Sequence, residues 1–246
     1  MDKYGLIGNN INYSFSKTFF NSKFKKEKRT DSYENFDIPD LYQFSEVLRK
    51  NPKLKGLNVT IPYKESIIKY LDIIDSNAQK IGAINTIKIT DEGKLIGYNT
   101  DYIGFIESLN NLQPLSKKNA LVLGTGGASK AIVFALKSLN YKVTQVSRVK
   151  KEGITTYTEL NKELIIKHQL IINCTPLGTF PNIDEYPNIP YQYITKNHLI
   201  FDLIYNPLET MFMKLSKEQG ARVSNGLKML EYQAEEAWSI WRTKNI

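Results

Sequence analysis

Disulfides, membrane spans and export signals are what this chain is least equipped to form. Its single cysteine, Cys174, cannot make a disulfide within one molecule, which fits a reducing, cytoplasmic setting. No apolar run approaches the roughly 18 residues that a bilayer span requires, so no membrane partner is expected. The opening residues, MDKYGLIGNN, lack a basic stretch followed by an apolar one, and no export signal is expected there. No zinc-finger spacing occurs, and no metal site is expected. Repeats and low-complexity tracts are absent as well. The formal net charge of +8 raises the question of an anionic partner. Its densest basic run, KFKKEKR at 23–29, is expected to be the solvated face and C-terminal end of a helix. It is not expected to form a platform for nucleic acid. Small phosphorylated or carboxylated ligands are the better anions for this chain.

What is present is the composition of a soluble globular protein, with 41% apolar and 24% charged residues in 246. That length suffices for one large domain or two modest ones. Hydrophobic periodicity and turn signals predict strands over 3–8, 32–37, 56–61, 141–148, 170–174 and 198–203, and a hairpin from 83–89 and 94–99. They predict helices near 16–28, 40–50, 63–71, 76–82, 101–112 and 226–243. Strands alternating with helices imply an α/β fold. The expected division is 1–100 and 101–224, with 225–246 packing back on the first domain.

Residues 120–139, ALVLGTGGASKAIVFALKSL, predict a buried strand, a glycine turn and an amphipathic helix. In that context Gly124, Gly126 and Gly127 suit a dinucleotide. The first glycine permits a tight turn, the next lets backbone approach a diphosphate, and the helix start offers free N–H groups. Ser129 stands where the pattern usually has Gly or Ala. The following strand ends Ser147-Arg148-Val149-Lys150-Lys151 without the carboxylate that would bind a ribose 2′-hydroxyl. A guanidinium grips a 2′-phosphate in bidentate fashion, so NADP is expected over NAD.

Two further stretches end strands abruptly on charge: LNVTIPYK at 57–64, closing on Lys64, and GYNTD at 97–101, closing on Asp101. Taken alone, each charge is as compatible with solvent as with a cleft. Together with SFS at 14–16, IGAINT at 81–86, the glycine turn, NCTPLG at 173–178, DLIYNP at 202–207, and GLKML with Gln233-Ala234, these stretches resemble the shikimate dehydrogenase family. The resemblance runs nearly end to end. It implies a substrate domain with a mixed sheet, a Rossmann-like NADP-binding domain, and a C-terminal helix returning to the first. It implies reduction of 3-dehydroshikimate with NADPH in aromatic amino-acid biosynthesis, in the cytoplasm, as a monomer or homodimer.

By the same resemblance Lys64 and Asp101 form the catalytic pair. Ser14, Ser16 and Tyr205 take the substrate carboxylate, and Asn58, Thr60, Asn85 and Gln233 take the ring. Gly124, Gly126, Gly127, Ala128, Ser147, Arg148, Thr175, Leu203, Gly226 and Met229 line the cofactor. Ser14 and Ser16 are expected on one side of an extended stretch, although Ser16 also suits a helix cap. Departures from the family pattern are Ser147 where Asn is usual and Thr179 where Met is common. Cys174 is expected to be a small buried residue, and His168 and His198 to lie at the surface or a strand edge. A quinate-using enzyme of the same fold and a non-catalytic dinucleotide sensor remain alternatives.

Overall fold

The computed structural model describes residues 1–11 and 14–243. They form a mixed α/β structure of two compact units, Met1–Thr100 with Ala234–Ile246, and Asp101–Gln233.

Unit 1 carries strands β1 (Lys3–Gly8), β2 (Ser32–Asp37), β3 (Leu54–Val59), β4 (Ile73–Ile74), β5 (Thr86–Ile89) and β6 (Leu95–Tyr98), with helices α1 (Phe15–Lys26), α2 (Phe44–Lys50) and α3 (Ser76–Ile81). The sheet order is β2-β1-β3-β5-β6-β4. β1 pairs parallel with β2 and β3, whereas β5 is antiparallel to β3 and to β6, so the sheet is mixed. Alternation along β1 feeds two cores. Ile7 joins Leu57, Val59, Ile84 and Ile87 in one. Tyr4 and Leu6 join Phe20, Phe24, Tyr33, Trp238 and Trp241 in the other, which is mostly aromatic. Trp241 donates its indole N–H to the Ile87 carbonyl at 2.9 Å. It lies against Gly56 of β3, where any Cβ would collide with the ring.

The helix predicted over 63–71 forms only as a 3₁₀ turn at Ser66–Tyr70. The cause is competition for backbone groups. The Lys64 carbonyl, which an α-helix would pair with residue 68, instead accepts from the Ile84 amide at 2.7 Å. The Tyr63 ring is buried, with its hydroxyl donating to the Ile38 carbonyl at 2.6 Å. The segment is thus tied down at both ends of Tyr63-Lys64.

Unit 2 carries α4 (Asp101–Asn110), β7 (Asn119–Leu123), α5 (Gly127–Ser138), β8 (Lys142–Ser147), β9 (Thr155–Thr156), α6 (Lys162–Lys167), β10 (Leu170–Asn173), β11 (Leu199–Asp202), α7 (Met211–Glu218), β12 (Arg222–Ser224) and the start of α8 (Leu227–Arg242). Its sheet runs β9-β8-β7-β10-β11-β12, parallel throughout. That is the doubly wound order, with its reversal point between β7 and β10. Residues of alternate register feed opposite faces: Val122, Ile172 and Phe201 on one, Leu121, Ile171 and Ile200 on the other. Sequence periodicity did not indicate α6, α7 or β12, although Phe212, Met213 and Ser216 make a buried stripe at helical spacing.

α8 is divided between the units. Its first residues belong to unit 2, where Met229 is buried among Phe105, Val122 and Phe201. From Ala234 onward it belongs to unit 1, through Trp238 and Trp241. Residues 225–233 thus group with the second unit and 234–246 with the first. His168 and His198 are not at the surface, each being 2% exposed. A His168 ring nitrogen lies 2.7 Å from the Leu164 carbonyl and the other 2.8 Å from the Thr144 hydroxyl. His198 sits 3.0 Å from the Ile165 carbonyl through one nitrogen, and its other accepts from the Thr195 amide at 3.0 Å.

Candidate active site

In unit 1 the chain gathers neutral polar side chains where β3, β5 and the end of β6 meet. Asn58, Asn85, Thr86 and Thr100 are all buried. Asn58 donates through Nδ2 to the Thr86 hydroxyl at 3.2 Å and to the Asn85 carbonyl at 3.3 Å. Asn85 Oδ1 accepts from the Thr100 amide at 2.6 Å, and its Nδ2 donates to the Thr100 hydroxyl at 3.0 Å. Asn99 braces the same corner, donating to the Ala83 carbonyl at 2.8 Å. Tyr33 on β2 closes the cluster by donating to Asn58 Oδ1 at 2.7 Å. Burial holds the Tyr33 phenol well above its usual pKa, with the Ser16 hydroxyl opposing the shift. A low-dielectric setting strengthens such bonds and makes an unpaired member costly.

The two serines do not share an extended stretch. Ser14 is the N-cap residue of α1, with extended backbone but no side-chain capping bond. Ser16 is inside the first turn of α1 and buried at 8% exposure. Thr60 follows β3, its amide donating to the Ile7 carbonyl at 3.0 Å. Lys64 is half-buried in the turn after Pro62.

In unit 2, Asp101 opens α4 and is buried at 7% exposure. One turn on, a Cβ at Gly104 would lie 2.5 Å from the Met229 carbonyl and 3.0 Å from Gln233 Cβ, so α4 and α8 touch there. Gln233, 6% exposed, belongs to this close contact, and Asp101 lies three residues before Gly104 on α4. Tyr205, half-buried, follows β11.

The glycine turn lies at the reversal point of the sheet. Gly124 has φ +108°, which only glycine adopts at ease, and its amide donates to the Val146 carbonyl at 2.9 Å. Across the gap, the Cys174 amide donates to the Leu123 carbonyl at 2.9 Å, which registers the two strand ends. Gly126 caps α5 without a side-chain bond, Gly127 and Ala128 open the helix, and a Cβ at Gly126 would meet no atom within 4 Å. Ser129 is accommodated because its hydroxyl donates to the Gly126 carbonyl at 2.7 Å. Ser147 is buried and accepts from the Val149 amide at 3.2 Å, while Arg148 is exposed beside it. Lys150 is ion-paired with Glu159, which together with the Thr156 amide pulls that carboxyl down to about 2. Lys150 therefore carries less free charge than the sequence suggests.

At the ends of β10 and β11 stands a second buried network. Asp202 is fully buried, accepting from Asn173 Nδ2 at 3.0 Å, the Ile204 amide at 3.1 Å and the Thr210 hydroxyl at 2.6 Å. Burial pushes its carboxyl up to about 6 against those three donors. Asn173 Oδ1 in turn accepts from the Thr175 amide at 3.0 Å and the Thr175 hydroxyl at 2.6 Å. Leu203 and Gly226 are in backbone contact so close that any Cβ at Gly226 would overlap the Leu203 carbonyl. Cys174 is half-buried and its thiol pushed up by burial.

Tyr33, Thr86 and Thr100 were not singled out from sequence. Thr86 and Thr100 lie inside the stretches IGAINT and GYNTD, next to positions that were. Tyr33 alternates into the aromatic core of β2 and carries no motif. Among the described residues no cluster of His, Cys, Asp or Glu suits a metal ion, and no helix is long and apolar enough to cross a membrane.

A parallel sheet in doubly wound order, with a glycine turn at its reversal point and an uncapped helix start behind it, defines a dinucleotide-binding protein of the dehydrogenase type. The family described as shikimate dehydrogenase substrate binding domain matches residues 6–87. A protein of Clostridium botulinum named shikimate dehydrogenase (NADP(+)) is 44% identical over 98% of this chain and 97% of its own length. The solved shikimate dehydrogenase of Aquifex aeolicus is 37% identical, with a TM-score of 0.88 over 98% of this chain and 92% of the other. The Thermus thermophilus enzyme, solved in complex with NADP(H) and shikimate, is 30% identical, with a TM-score of 0.87 over 98% and 94%. The chain belongs to the shikimate dehydrogenase family.

Proposed function

We propose that the protein catalyses the reversible, NADPH-dependent reduction of 3-dehydroshikimate to shikimate, a step toward chorismate and the aromatic amino acids. It is an oxidoreductase acting on a CH–OH group, and NADP is its cofactor. The observation that carries the finer reading is the buried, neutral network of Asn58, Asn85, Thr86 and Thr100. Amides and hydroxyls fixed in place suit a polyhydroxylated ring and reject analogues whose missing hydroxyls would leave them unpaired.

When bound, NADPH would supply the hydride that reduces the ketone. Negative charge then builds on the ketone oxygen, and Lys64 provides the proton that relieves it, with Asp101 as the second member of the catalytic pair. Ser14, Ser16 and Tyr205 hold the substrate carboxylate. Asn58, Thr60, Asn85 and Gln233 hold the ring. The residues of the glycine turn fit the dinucleotide. The α5 start has no side-chain cap, and the space before Gly126 is open to a diphosphate. Gly124, Gly126, Gly127 and Ala128 would hold that group, Ser147 and Arg148 the adenosine 2′-phosphate end, and Thr175, Leu203, Gly226 and Met229 the nicotinamide end.

The test is the absorbance of reduced nicotinamide with purified protein and shikimate plus NADP, then plus NAD, then with quinate. Turnover is expected to be fastest with shikimate and NADP. A higher rate with quinate would reassign the substrate, and no turnover with any pair would leave a dinucleotide-binding protein without this activity. Arg148→Ala is expected to weaken NADP about ten- to hundredfold and NAD little, the size of a lost charged hydrogen bond. Equal weakening of both would remove the 2′-phosphate from Arg148.

A further inference from the structure

We propose that Asn173 is a positioning residue for the nicotinamide end of the cofactor: its amide, oriented by the Asp202 carboxylate, fixes the loop that presents Thr175. The inference rests on the assignment of Thr175, Leu203 and Gly226 to that end. Asn173 closes β10 and is fully buried, so its two N–H donors and two acceptor sites all need partners. All four are used. Nδ2 donates to Asp202 Oδ1 at 3.0 Å and, more weakly, to the Leu177 carbonyl at 3.4 Å. Oδ1 accepts from the Thr175 amide at 3.0 Å and the Thr175 hydroxyl at 2.6 Å. Turned over, the amide would set oxygen against the Asp202 oxygen and N–H against the Thr175 amide. Asp202 Oδ1 already accepts from the Ile204 amide at 3.1 Å, so it is an acceptor to Asn173 as well. The carboxylate therefore chooses which end of Asn173 faces Thr175.

The same carboxylate holds the neighbouring strand end. Its Oδ2 accepts from the Thr210 hydroxyl at 2.6 Å, and the Ile204 peptide that it holds through the amide accepts at its carbonyl from the Gly226 amide at 3.0 Å. The Asn173 carbonyl accepts from the Leu203 amide at 3.1 Å, which ties the end of β10 to the end of β11. The segments that carry Thr175, Leu203 and Gly226 are thus registered to one buried pair that need not touch the ligand. The arrangement also settles what Thr175 can offer. Its hydroxyl has spent its only proton on Asn173 and accepts from the Leu177 amide at 3.3 Å. A lone pair is what it has left, the complement of a carboxamide N–H rather than of a carboxamide oxygen.

Asn173→Leu keeps most of the volume and removes both roles of the amide. kcat for shikimate oxidation is expected to fall about ten- to hundredfold, as for a reacting ring held slightly out of place. NADPH, followed by fluorescence titration, is expected to bind about five- to thirtyfold more weakly. The probe 2′-phospho-ADP-ribose has the phosphates and adenosine of NADP but no nicotinamide. It should inhibit as before to within about twofold, since its contacts lie elsewhere in the unit. Equal weakening of both ligands would make Asn173 a structural residue of unit 2 and overturn the inference. Thr175→Val removes the hydroxyl that the amide holds. If Thr175→Val weakens NADPH but not 2′-phospho-ADP-ribose, while Asn173→Leu weakens neither, the inference falls with the nicotinamide assignment intact. If neither variant changes NADPH binding or kcat, the assignment itself fails and takes the inference with it. Should Asn173→Leu not fold, Asn173→Asp alone and combined with Asp202→Asn decides the matter. The single change sets oxygen against oxygen at the Asp202 contact, and the second returns an N–H to it. A kcat that partly recovers in the combination supports the inference, and one no better than that of the single change overturns it.

Discussion

In unit 2 the positions assigned to the cofactor are mostly glycines and strand ends, and their chemistry is that of the peptide group. In unit 1 the positions assigned to the substrate are carboxamides, hydroxyls and one ammonium, and their chemistry is that of side chains. The first kind of site is vulnerable to atoms added, the second to atoms removed. Gly126 and Gly226 illustrate the one, since a Cβ would stand in open space at the former and inside the Leu203 carbonyl at the latter. Asn58 and Asn85 illustrate the other, each held by two or more bonds to buried neighbours. A diphosphate is recognised by any well-placed run of N–H groups. A ring with several hydroxyls requires donors and acceptors in a particular pattern, which only chosen side chains provide.

The largest effect is expected from a removal. Lys64→Ala should lower kcat by about 10²–10⁴, the usual worth of a positioned proton donor, with a modest change in KM. A large KM rise with kcat intact would make Lys64 a binding residue and reduce the contrast to one of affinity. Next comes an addition. Gly226→Ala forces backbone against backbone, where nothing flexible can yield, and should destabilise the protein by about 1–3 kcal/mol or more. Gly126→Ala, by contrast, should leave Tm nearly unchanged, within about 0.5 kcal/mol, while weakening NADP. Equal Tm losses at both glycines would show that the open space before Gly126 has no bearing on the ligand.

The same division explains what could be read in advance. The glycine turn was legible because only glycine serves at φ +108°, and because a strand, turn and helix leave a period in the sequence. The mixed sheet of unit 1 was implied by the family resemblance, and the hairpin read from 83–89 and 94–99 is one of its antiparallel pairs. The bond of Tyr33 was not legible, because a tyrosine in an alternating strand looks like core and mostly is core; its hydroxyl finds Asn58 only when that residue arrives from another strand. The 3₁₀ turn after Lys64 was missed for the related reason that its carbonyl is claimed by Ile84, a partner no local pattern announces. α6 and β12 are short, and short elements owe their form to neighbours more than to propensity.

The smallest expected effect concerns charge. The unit 1 network of Tyr33, Asn58, Asn85, Thr86 and Thr100 is neutral, whereas unit 2 buries the carboxyl of Asp202. Desolvation lifts that carboxyl from 3.8 to about 6, with Thr210, Ile204 and Asn173 opposing the lift. The folded chain therefore holds its proton more tightly than the unfolded chain does. Stability from this group is fully present below about pH 4, is lost as pH rises toward 6, and changes no further above that. The shift corresponds to at most about 3 kcal/mol, and relaxation of the site should bring it nearer about 1 kcal/mol. Asp202→Asn removes the titration and also one acceptor for Thr210, a loss that is the same at every pH. The difference in stability between Asp202→Asn and the natural chain should accordingly move in favour of the variant between pH 4 and 6.5 and then level off. Denaturant melts at intervals across that range measure it. A difference that stays flat from pH 4 to 7 would mean that Asp202 is ionised throughout, held by its three donors. The floor of unit 2 would then be as indifferent to pH as that of unit 1.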